Sequence, residues 1–262
     1  MLKIKRVGVV CRDERAAQFI DRLRRIFERA SIELDQLALD RPGQPPDLTL
    51  ALGGDGTLLR ALEMYPHTPT LSINFGAVGF LAAGGQDEAE ELIERLLSNQ
   101  CFIEERILLV SEFQGVRREV VNEVVVRGTT HMISVDLFVD DDLIHTIRGD
   151  GAIVGTPTGS TSYLLSTGSP IVAPQVSCIL VNGINEHRFA SRCLVLPDST
   201  CVRLRINELT RETDIFLCHD GRDKIPVRVG DEISVRRAAE PSRLIFFDRH
   251  AFFRNLKSRL DW

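Results

Sequence analysis

The first hundred residues alternate short apolar runs with longer amphipathic segments, and this alternation limits the fold more than any other feature of the chain. Strands are expected at residues 7–10, 32–35, 48–52 and 71–74, and helices at 13–30, 58–64 and 87–98. Within 13–30, apolar residues recur at the three- and four-residue spacing of one helix face. Strands that alternate with helices form a parallel sheet that is covered on both faces. We therefore expect an N-terminal α/β domain over residues 1–100.

The periodicity changes near residue 100, where short β-type runs separated by turn residues replace the helices. These runs are ILLVSEF, VVNEVVV, ISVDLFV, CVRLRI, DIFLC, IPVRV and EISVRR. Such spacing is typical of an antiparallel β-sandwich or a barrel-like domain, which we place at residues 101–240. Residues 250–260 are again expected to be helical.

The charge balance and the cysteine pattern exclude several classes of protein. Lys and Arg total 32 against 37 Asp and Glu, a formal net charge of −5, whereas nucleic-acid binding requires a basic surface. No apolar run reaches the length of a membrane span, and the N-terminal apolar stretch is too short for a signal peptide. The six cysteines are scattered without metal-ligand spacing. We therefore expect a reduced cytoplasmic protein with no nucleic-acid partner, no membrane partner and no metal site of its own.

The segment GGDGTLL, residues 53–59, is the sharpest candidate for chemistry. It follows the expected strand at 48–52 and opens the expected helix at 58–64, so its glycines allow a tight turn and a close approach of phosphate to backbone N–H groups. Asp55 would then orient or deprotonate a hydroxyl group in phosphoryl transfer. The alternative is that Asp55 only caps the helix. The P-loop, the dinucleotide fingerprint and the protein-kinase motifs are absent from the sequence.

Polar and glycine-rich segments further along the chain add candidates. Asn122 and Glu123 lie in VVNEVVV, which we expect to be one strand, and they either grip sugar hydroxyls or make structural contacts. Residues 148–170 are expected to be a long loop rich in glycine and hydroxyl groups, suited to phosphates and sugars. INFGAVGF at 73–80 puts glycines after another strand, on the sheet edge where GGDGT lies. HDGR at 219–222 is expected to be only a turn.

Together these segments resemble the NAD kinase family. The matching elements, in the family's order, are GGDGTLL at 53–59, NxGxxGF at 74–80, NE at 122–123, GDG at 149–151, TPTGSTSY at 156–163 and SPIVAP at 169–174. GGDGT alone is shared with lipid kinases and phosphofructokinases, whereas NE followed by TPTGST selects NAD kinase. The resemblance implies a Rossmann-like first domain, a β domain that binds NAD and forms the oligomer, and a C-terminal segment, 241–262, that packs back on the first domain.

The resemblance also implies an activity, the transfer of the terminal phosphoryl group of ATP to the 2′-hydroxyl of the adenosine ribose of NAD to make NADP. At the matching positions, Asp55 is the general base, and Asn122 and Glu123 hold NAD through its ribose hydroxyls and adenine end. Arg148 and Asp150 match positions near the nicotinamide half. The nucleotide-binding residues that the family implies are Gly53, Gly54, Gly56, Arg60, Asn74, Phe80, Asn122, Glu123, Arg148, Asp150, Thr161, Ser162, Tyr163, Ser166 and Asn185. Mg²⁺ or another divalent cation would arrive with the phosphoryl donor, and a homodimer or homotetramer is expected.

Alternatives stay open at this point. A lipid kinase would share GGDGT and the two-domain plan, a nucleotide sensor would bind NAD or NADP without transfer, and polyphosphate would replace ATP as the donor. The chain also departs from the family, because Ser169 stands where a glycine is common and Arg222 stands where glutamine is frequent. The first departure would change the geometry of its loop. The second would alter the nicotinamide pocket or admit NADH.

Overall fold

A computed structural model of the chain describes residues 3–11, 14–38, 43–76, 79–187 and 192–260. The chain divides into two compact units, of which unit 1 comprises Met1–Arg106 with Pro241–Trp262 and unit 2 comprises Ile107–Glu240. Residues 77–78 of the predicted glycine segment at 73–80 lie outside the described residues.

The described residues contain nineteen strands, numbered in chain order. They are β1 Arg6–Cys11, β2 Glu33–Gln36, β3 Leu48–Leu52, β4 Thr70–Asn74, β5 Gly84–Gly85, β6 Phe102–Arg106, β7 Leu109–Phe113, β8 Val116–Val120, β9 Glu123–Gly128, β10 Ile133–Val139, β11 Asp142–Gly149, β12 Gly151–Gly155, β13 Cys178–Ile184, β14 Leu194–Pro197, β15 Val202–Ile206, β16 Ile215–His219, β17 Arg222–Val227, β18 Glu232–Arg237 and β19 Ser242–Phe246.

The helices of the described residues are fewer and lie mostly in unit 1. They are α1 Glu14–Arg29, α2 Asp55–Met64, α3 Ala89–Leu97, α4 Tyr163–Ser166 and α5 Ala251–Leu260, with short 3-10 helices at Gln86–Glu88 and Thr158–Thr161. The longest, α1, has 16 residues, and Arg29 lies in its last turn. None of these helices combines the length and the apolar character that crossing a membrane requires.

Unit 1 is built on one sheet with the strand order β2-β1-β3-β4-β19-β6, and β5 lies beside β4. The pairs are parallel except that of β19 with β6, which is antiparallel. The predicted parallel α/β arrangement is therefore confirmed. The sequence pattern did not predict β6 or β19, and β19 brings the C-terminal part of the chain into the sheet between β4 and β6.

The two central strands, β3 and β4, are fully buried and carry the loops of the candidate site at their carboxyl ends. Every residue of β3 and β4 is buried, as expected for parallel strands covered on both faces. Leu48, Leu50 and Leu52 share a core with Phe27 of α1 and Ile93 of α3. Burying each such side chain contributes about 1.5–3 kcal/mol. The loops after the carboxyl ends of β3 and β4 therefore start from fixed points.

Unit 2 is a sandwich of two antiparallel six-stranded sheets in the described residues. Their orders are β11-β10-β15-β18-β7-β8 and β14-β13-β12-β9-β16-β17. Val135 and Leu204 from the first sheet and Val124 and Val181 from the second belong to one buried core. The predicted antiparallel β domain is therefore confirmed.

The prediction of one strand through VVNEVVV is wrong. β8 ends at Val120 and β9 begins at Glu123, with a bend at Val121 and Asn122 between them. The reason is that the N–H groups of residues 121–123 bind the side chain of Asp220 instead of a neighbouring strand.

The prediction of a single loop over 148–170 is also wrong. β12 lies inside it and pairs with both β9 and β13, because its apolar residues Ala152, Ile153 and Val154 are buried on both faces of the sheet. The hydroxyl-rich part that follows is not extended either, since it forms the 3-10 helix Thr158–Thr161 and α4.

Candidate active site

The carboxylate of Asp55 is fixed by the loop that follows β4. Its Oδ2 accepts the backbone N–H of Phe80 at 2.8 Å, and its Oδ1 accepts the backbone N–H of Leu81 at 3.2 Å. Asp55 is the first residue of α2, but the N-cap position belongs to Gly54, and no side chain caps this helix. The alternative that Asp55 only caps α2 is therefore wrong. Its carboxylate turns to the neighbouring loop instead.

Glycines make this arrangement of Asp55 possible. Gly53 has a φ of +152°, and a methyl group there would overlap the side chain of Thr57 in α2. A methyl group at Gly79 would overlap the carboxylate of Asp55 itself. By contrast, methyl groups at Gly54 and Gly56 would meet nothing within 4 Å. Sequence reasoning missed Gly79, although the second glycine of NxGxxGF was the signal for it.

Three further predicted residues of unit 1 lie around the same two loops. Asn74, at the end of β4, is buried, and its Oδ1 accepts the N–H of Gly76 at 3.0 Å, so it shapes the loop. Arg60, in the second turn of α2, forms an ion pair with Glu63 at 2.6 Å. Phe80 takes part through its backbone. Its N–H binds Asp55, and its carbonyl accepts a hydrogen bond from Nδ2 of Asn255 in α5 at 3.0 Å.

In unit 2, the structure brings Asn122 and Glu123 together with Ser162. Both predicted residues are buried, and Asn122 Nδ2 lies 3.4 Å from Ser162 Oγ. Within the described residues, Asn122 Oδ1 and Glu123 Oε2 have no hydrogen-bond partner. Buried polar atoms rarely stay unpaired, so these two atoms are suited to receive polar groups of a ligand.

Asp220 is the residue of this group that sequence reasoning missed. It belongs to HDGR, which forms the predicted turn between β16 and β17, with φ +47° at Asp220 and +69° at Gly221. The carboxylate of Asp220 also accepts N–H groups from Val121, Asn122 and Glu123. No sequence signal separates this Asp-Gly pair from an ordinary turn.

Glu123 has a strongly altered acidity. Burial, reinforced by the neighbouring charge of Asp220, raises the pKa of Glu123 from 4.5 to about 8. Hydrogen bonds from the Ser162 side chain and the Tyr163 backbone act in the opposite direction with less effect. At neutral pH this side chain is therefore a neutral carboxyl group, which can donate a hydrogen bond as well as accept one.

The hydroxyl-rich segment folds over the bend at Asn122. Thr156 donates its hydroxyl to Val121 O at 2.5 Å and its N–H to Asn122 O at 2.9 Å. Tyr163 is half-buried and packs against the apolar cluster that contains Val125 and Leu180. The hydroxyls of the other two predicted residues bind local carbonyls, Thr161 to Thr158 at 3.3 Å and Ser166 to Tyr163 at 2.7 Å.

The structure does not bring Arg148, Asp150 and Asn185 to the Glu123 group. Asn185 Nδ2 donates to Asp150 Oδ2 at 2.8 Å. Arg148, two residues before Asp150, is exposed near the end of β11. Asp150 precedes β12, whereas Glu123 pairs with Gly155 at its other end. Four steps of about 3.3 Å separate the two ends of β12, or about 13 Å. The predicted residues of unit 2 thus form two separate groups.

Profiles of two protein families match the chain. The profile described as the ATP-NAD kinase N-terminal domain matches residues 37–101, and the one described as the ATP-NAD kinase C-terminal domain matches residues 121–247. An NAD kinase of Clostridium perfringens is 34% identical over 222 residues, which cover 82% of this chain and 80% of the relative. An NAD kinase of Legionella pneumophila is 34% identical over 247 residues, which cover 89% and 82%.

Solved structures resemble the whole chain. The NAD kinase of Archaeoglobus fulgidus in complex with ATP is 26% identical, with a TM-score of 0.82 and coverage of 98% of both chains. The yeast NADH kinase in complex with NADH has a TM-score of 0.85 and covers 99% of this chain and 88% of its own. Because this structure is only 22% identical in sequence, the similarity shows a shared fold and no more.

Proposed function

The chain belongs to the NAD kinase family, and we propose that it transfers the terminal phosphoryl group of ATP to the 2′-hydroxyl of the adenosine ribose of NAD, making NADP. Membership of this family removes the lipid-kinase alternative. The observation that carries the mechanism is the Asp55 carboxylate, held by two backbone N–H groups at the start of α2.

Asp55 is proposed as the general base. The 2′-hydroxyl oxygen attacks the terminal phosphorus of ATP, its proton passes to an Asp55 oxygen, and ADP leaves with the electrons of the broken P–O bond. A carboxylate has about four lone-pair sites, and the N–H groups of Phe80 and Leu81 use two of them. The remaining sites can take the hydroxyl proton, while the two N–H groups keep the carboxylate from turning away.

The nucleotide contacts are proposed for the two loops of unit 1 and for the Asn122–Glu123 group of unit 2. Gly54 and Gly56 leave the backbone at the start of α2 open to a phosphate or ribose, since both face open space, and Gly53 provides the turn that precedes them. In unit 2, the unpaired atoms Asn122 Oδ1 and Glu123 Oε2 support a role in binding polar groups of NAD.

The divalent cation is proposed to enter as part of the ATP substrate. Across the described ranges, no group of three or more His, Cys, Asp or Glu side chains is arranged to hold a metal ion. Asp55, the carboxylate that we propose as the general base, already accepts two backbone N–H groups. Mg²⁺ commonly binds through substrate phosphates with several water ligands, which requires no such protein cage.

The test is formation of NADP by the purified protein from NAD, ATP and Mg²⁺, followed with an NADP-specific dehydrogenase. Asp55→Asn keeps the shape of the side chain and should lower kcat by about 10²- to 10⁴-fold, because it removes the base. The melting temperature and the Kd for NAD serve as controls for folding and binding. NAD binding without turnover in the wild type would favour a sensor, and near-normal turnover of Asp55→Asn would refute the base assignment.

The same assay separates the remaining choices of substrate. Parallel reactions replace ATP with polyphosphate, and NAD with NADH. Arg222→Gln restores the residue that is frequent in the family and serves as the matched variant for the NADH reaction. If Arg222 admits NADH, this variant should lose activity with NADH relative to NAD, whereas an unchanged ratio removes Arg222 from substrate selection.

We further propose that the chain works as a homodimer or homotetramer. Membership of the NAD kinase family supports this proposal, because the family resemblance implies an oligomer formed by the β domain. We propose that in this oligomer a second copy brings its Asp150 group to the first copy's Glu123 group, since the two groups of one chain lie at opposite ends of β12. The molar mass in solution tests assembly directly. Mixed oligomers of Asp150→Ala and Glu123→Ala chains would regain activity if the copies share sites, and would stay inactive if each chain works alone.

A further inference from the structure

The Asp220 carboxylate binds three consecutive N–H groups of the chain about a hundred residues earlier. Its Oδ1 accepts Asn122 N at 2.7 Å and Glu123 N at 3.1 Å, and its Oδ2 accepts Val121 N at 2.9 Å. The backbone N–H of Asp220 in turn donates to Glu123 O at 3.0 Å. Such charge-assisted bonds are among the stronger hydrogen bonds in proteins.

The opposite side of this bend is held by the hydroxyl-rich segment. Thr156 supplies its hydroxyl to Val121 O and its N–H to Asn122 O. Methyl groups at Gly155 or Gly159 would come within 2.7 Å of Asn122 O, so neither position has room for a side chain. All six backbone N–H and C=O groups of residues 121–123 therefore have a partner, either on Asp220 or on Thr156.

This bend fixes the two side chains that the proposed function assigns to NAD. Asn122 lies in the bend and Glu123 is the first residue of β9, so the position of the bend determines where both side chains begin. Their unpaired atoms, Asn122 Oδ1 and Glu123 Oε2, are buried and have no partner elsewhere in the described chain. A small rotation of the bend would move both atoms at once.

We propose that Asp220 is a positioning residue for NAD binding, which holds the bend at residues 121–123 and thereby sets where Asn122 and Glu123 present their polar atoms to the nucleotide. The inference rests on the proposed function, since it concerns the same nucleotide site. Asp220 acts through the backbone of its neighbours and needs no contact with the nucleotide. The predicted effect is therefore on NAD affinity and on little else.

The charge of Asp220 provides a readout that a purely structural residue would lack. Burial is the largest cause of the raised pKa of Glu123, the charge of Asp220 adds to it, and hydrogen bonds from the Ser162 side chain and the Tyr163 N–H lower it. Burial also raises the pKa of Asp220, and the N–H groups of residues 121–123 act against this by binding its carboxylate. The other titratable groups nearby are His219, whose pKa is lowered by burial, with Asp223 beside it, and Arg222 and Arg118, whose charges act on Asp220 and His219 respectively. Removing the Asp220 charge should shift the ionisation of Glu123 to lower pH.

The experiment compares Asp220→Asn with a matched control, Asp140→Asn. The amide keeps the size of Asp220 but loses its charge and places an NH₂ group against an N–H donor. Asp140 also has a positive φ, +53°, and accepts a backbone N–H, that of Cys201 at 3.0 Å, but it lies in the turn between β10 and β11 of the other sheet. In Asp220→Asn we expect KM for NAD to rise about 10- to 100-fold, with kcat and KM for ATP within about threefold of wild type.

The pH dependence is the second measurement. KM for NAD of the wild type should change near pH 8, where Glu123 ionises, and Asp220→Asn should move this change to lower pH. Asp140→Asn should leave both KM and the pH of the change as they are. An unaltered KM, or an unaltered pH profile with a raised KM, would overturn the proposal.

A milder variant covers the case in which Asp220→Asn does not fold. Gly221→Ala adds a methyl group that meets nothing within 4 Å, but the φ of +69° strains alanine and shifts the turn that carries Asp220. It should raise KM for NAD selectively, and equal effects on NAD and ATP would overturn the proposal. If the wild type binds NAD without making NADP, the proposed function fails, and the Kd for NAD of the same variants decides the role of Asp220.

Discussion

Gly79→Ala should remove most turnover without changing any side chain proposed to take part in chemistry. In the structure, a methyl group on residue 79 would occupy the space of the Asp55 carboxylate. Either the carboxylate rotates away or the loop moves, and both responses separate Asp55 from the N–H groups of Phe80 and Leu81, now at 2.8 and 3.2 Å. The variant therefore tests whether the held position of the base matters.

The size of the effect follows from this displacement. A misplacement of about 1 Å in a catalytic group can cost about 10²-fold in rate. Complete loss of a general base costs about 10²- to 10⁴-fold. We therefore expect kcat of Gly79→Ala to fall at least about 10²-fold, and no further than that of Asp55→Asn. Overpacking costs about 1–3 kcal/mol, so the melting temperature should fall by some degrees while the protein stays folded.

The assay is kcat for NADP formation at saturating NAD and ATP, with Gly76→Ala as the matched control. Gly76 lies in the same loop, but a methyl group there would meet nothing within 4 Å. A double variant, Gly79→Ala with Asp55→Asn, shows whether the two changes act through one group. If they do, the double variant is no slower than Asp55→Asn alone. A kcat of Gly79→Ala within about threefold of the wild type, or additive effects in the double variant, would refute the reasoning.

Three further predictions concern other parts of the molecule. Gly56→Ala should keep or slightly raise the melting temperature, because the methyl group faces open space in a helix, but should raise KM for NAD about 10-fold if the ribose lies against this backbone. The melting temperature of Glu123→Gln should rise relative to that of the wild type as pH increases from about 5 to 9. Folded Glu123 keeps its proton to about pH 8, whereas an unfolded glutamate loses it near 4.5, so the wild type loses stability over this range. A melting-temperature difference that is constant with pH would contradict this. Glu212 accepts backbone N–H groups of Asp214, His131, Thr130 and Thr213, which lower its pKa to about 2, so the stability it contributes is present above pH 4.5 and is lost as pH falls towards 2. The melting temperature of Glu212→Gln should therefore lie below that of the wild type at pH 7, and the difference should shrink below pH 4.5 and become small only as pH approaches 2.

The elements that local periodicity predicts are those whose burial is decided by neighbours close in sequence. β3 has the predicted bounds of 48–52, and α1 and α3 lie within their predicted segments, because one apolar face determines each of them. β19 was not predicted, because it becomes a strand by pairing with β4 and β6, which lie far away in sequence. Local patterns carry no information about such pairings.

The same limit applies to the candidate site. Asp55 could be singled out because the glycines beside it are visible in the sequence. The N–H groups that hold its carboxylate lie 25 and 26 residues further on, and those held by Asp220 lie 97 to 99 residues before it. A strand was predicted through Asn122 for this reason. The β-propensity of the residues around it is visible in the sequence, whereas the contact with Asp220 exists only in the folded chain.

The two anchored carboxylates differ in the number of lone pairs that they leave open, and this difference separates their proposed roles. Asp55 accepts one N–H on each oxygen, which leaves about half of its capacity for a proton or a hydroxyl group. Asp220 accepts two N–H groups on Oδ1 and one on Oδ2, so most of its capacity is used by the backbone. A base needs the first arrangement, because it must be held and yet remain able to bind a proton. A positioning residue needs the second, because each added bond fixes the bend more firmly and leaves less room for competing contacts.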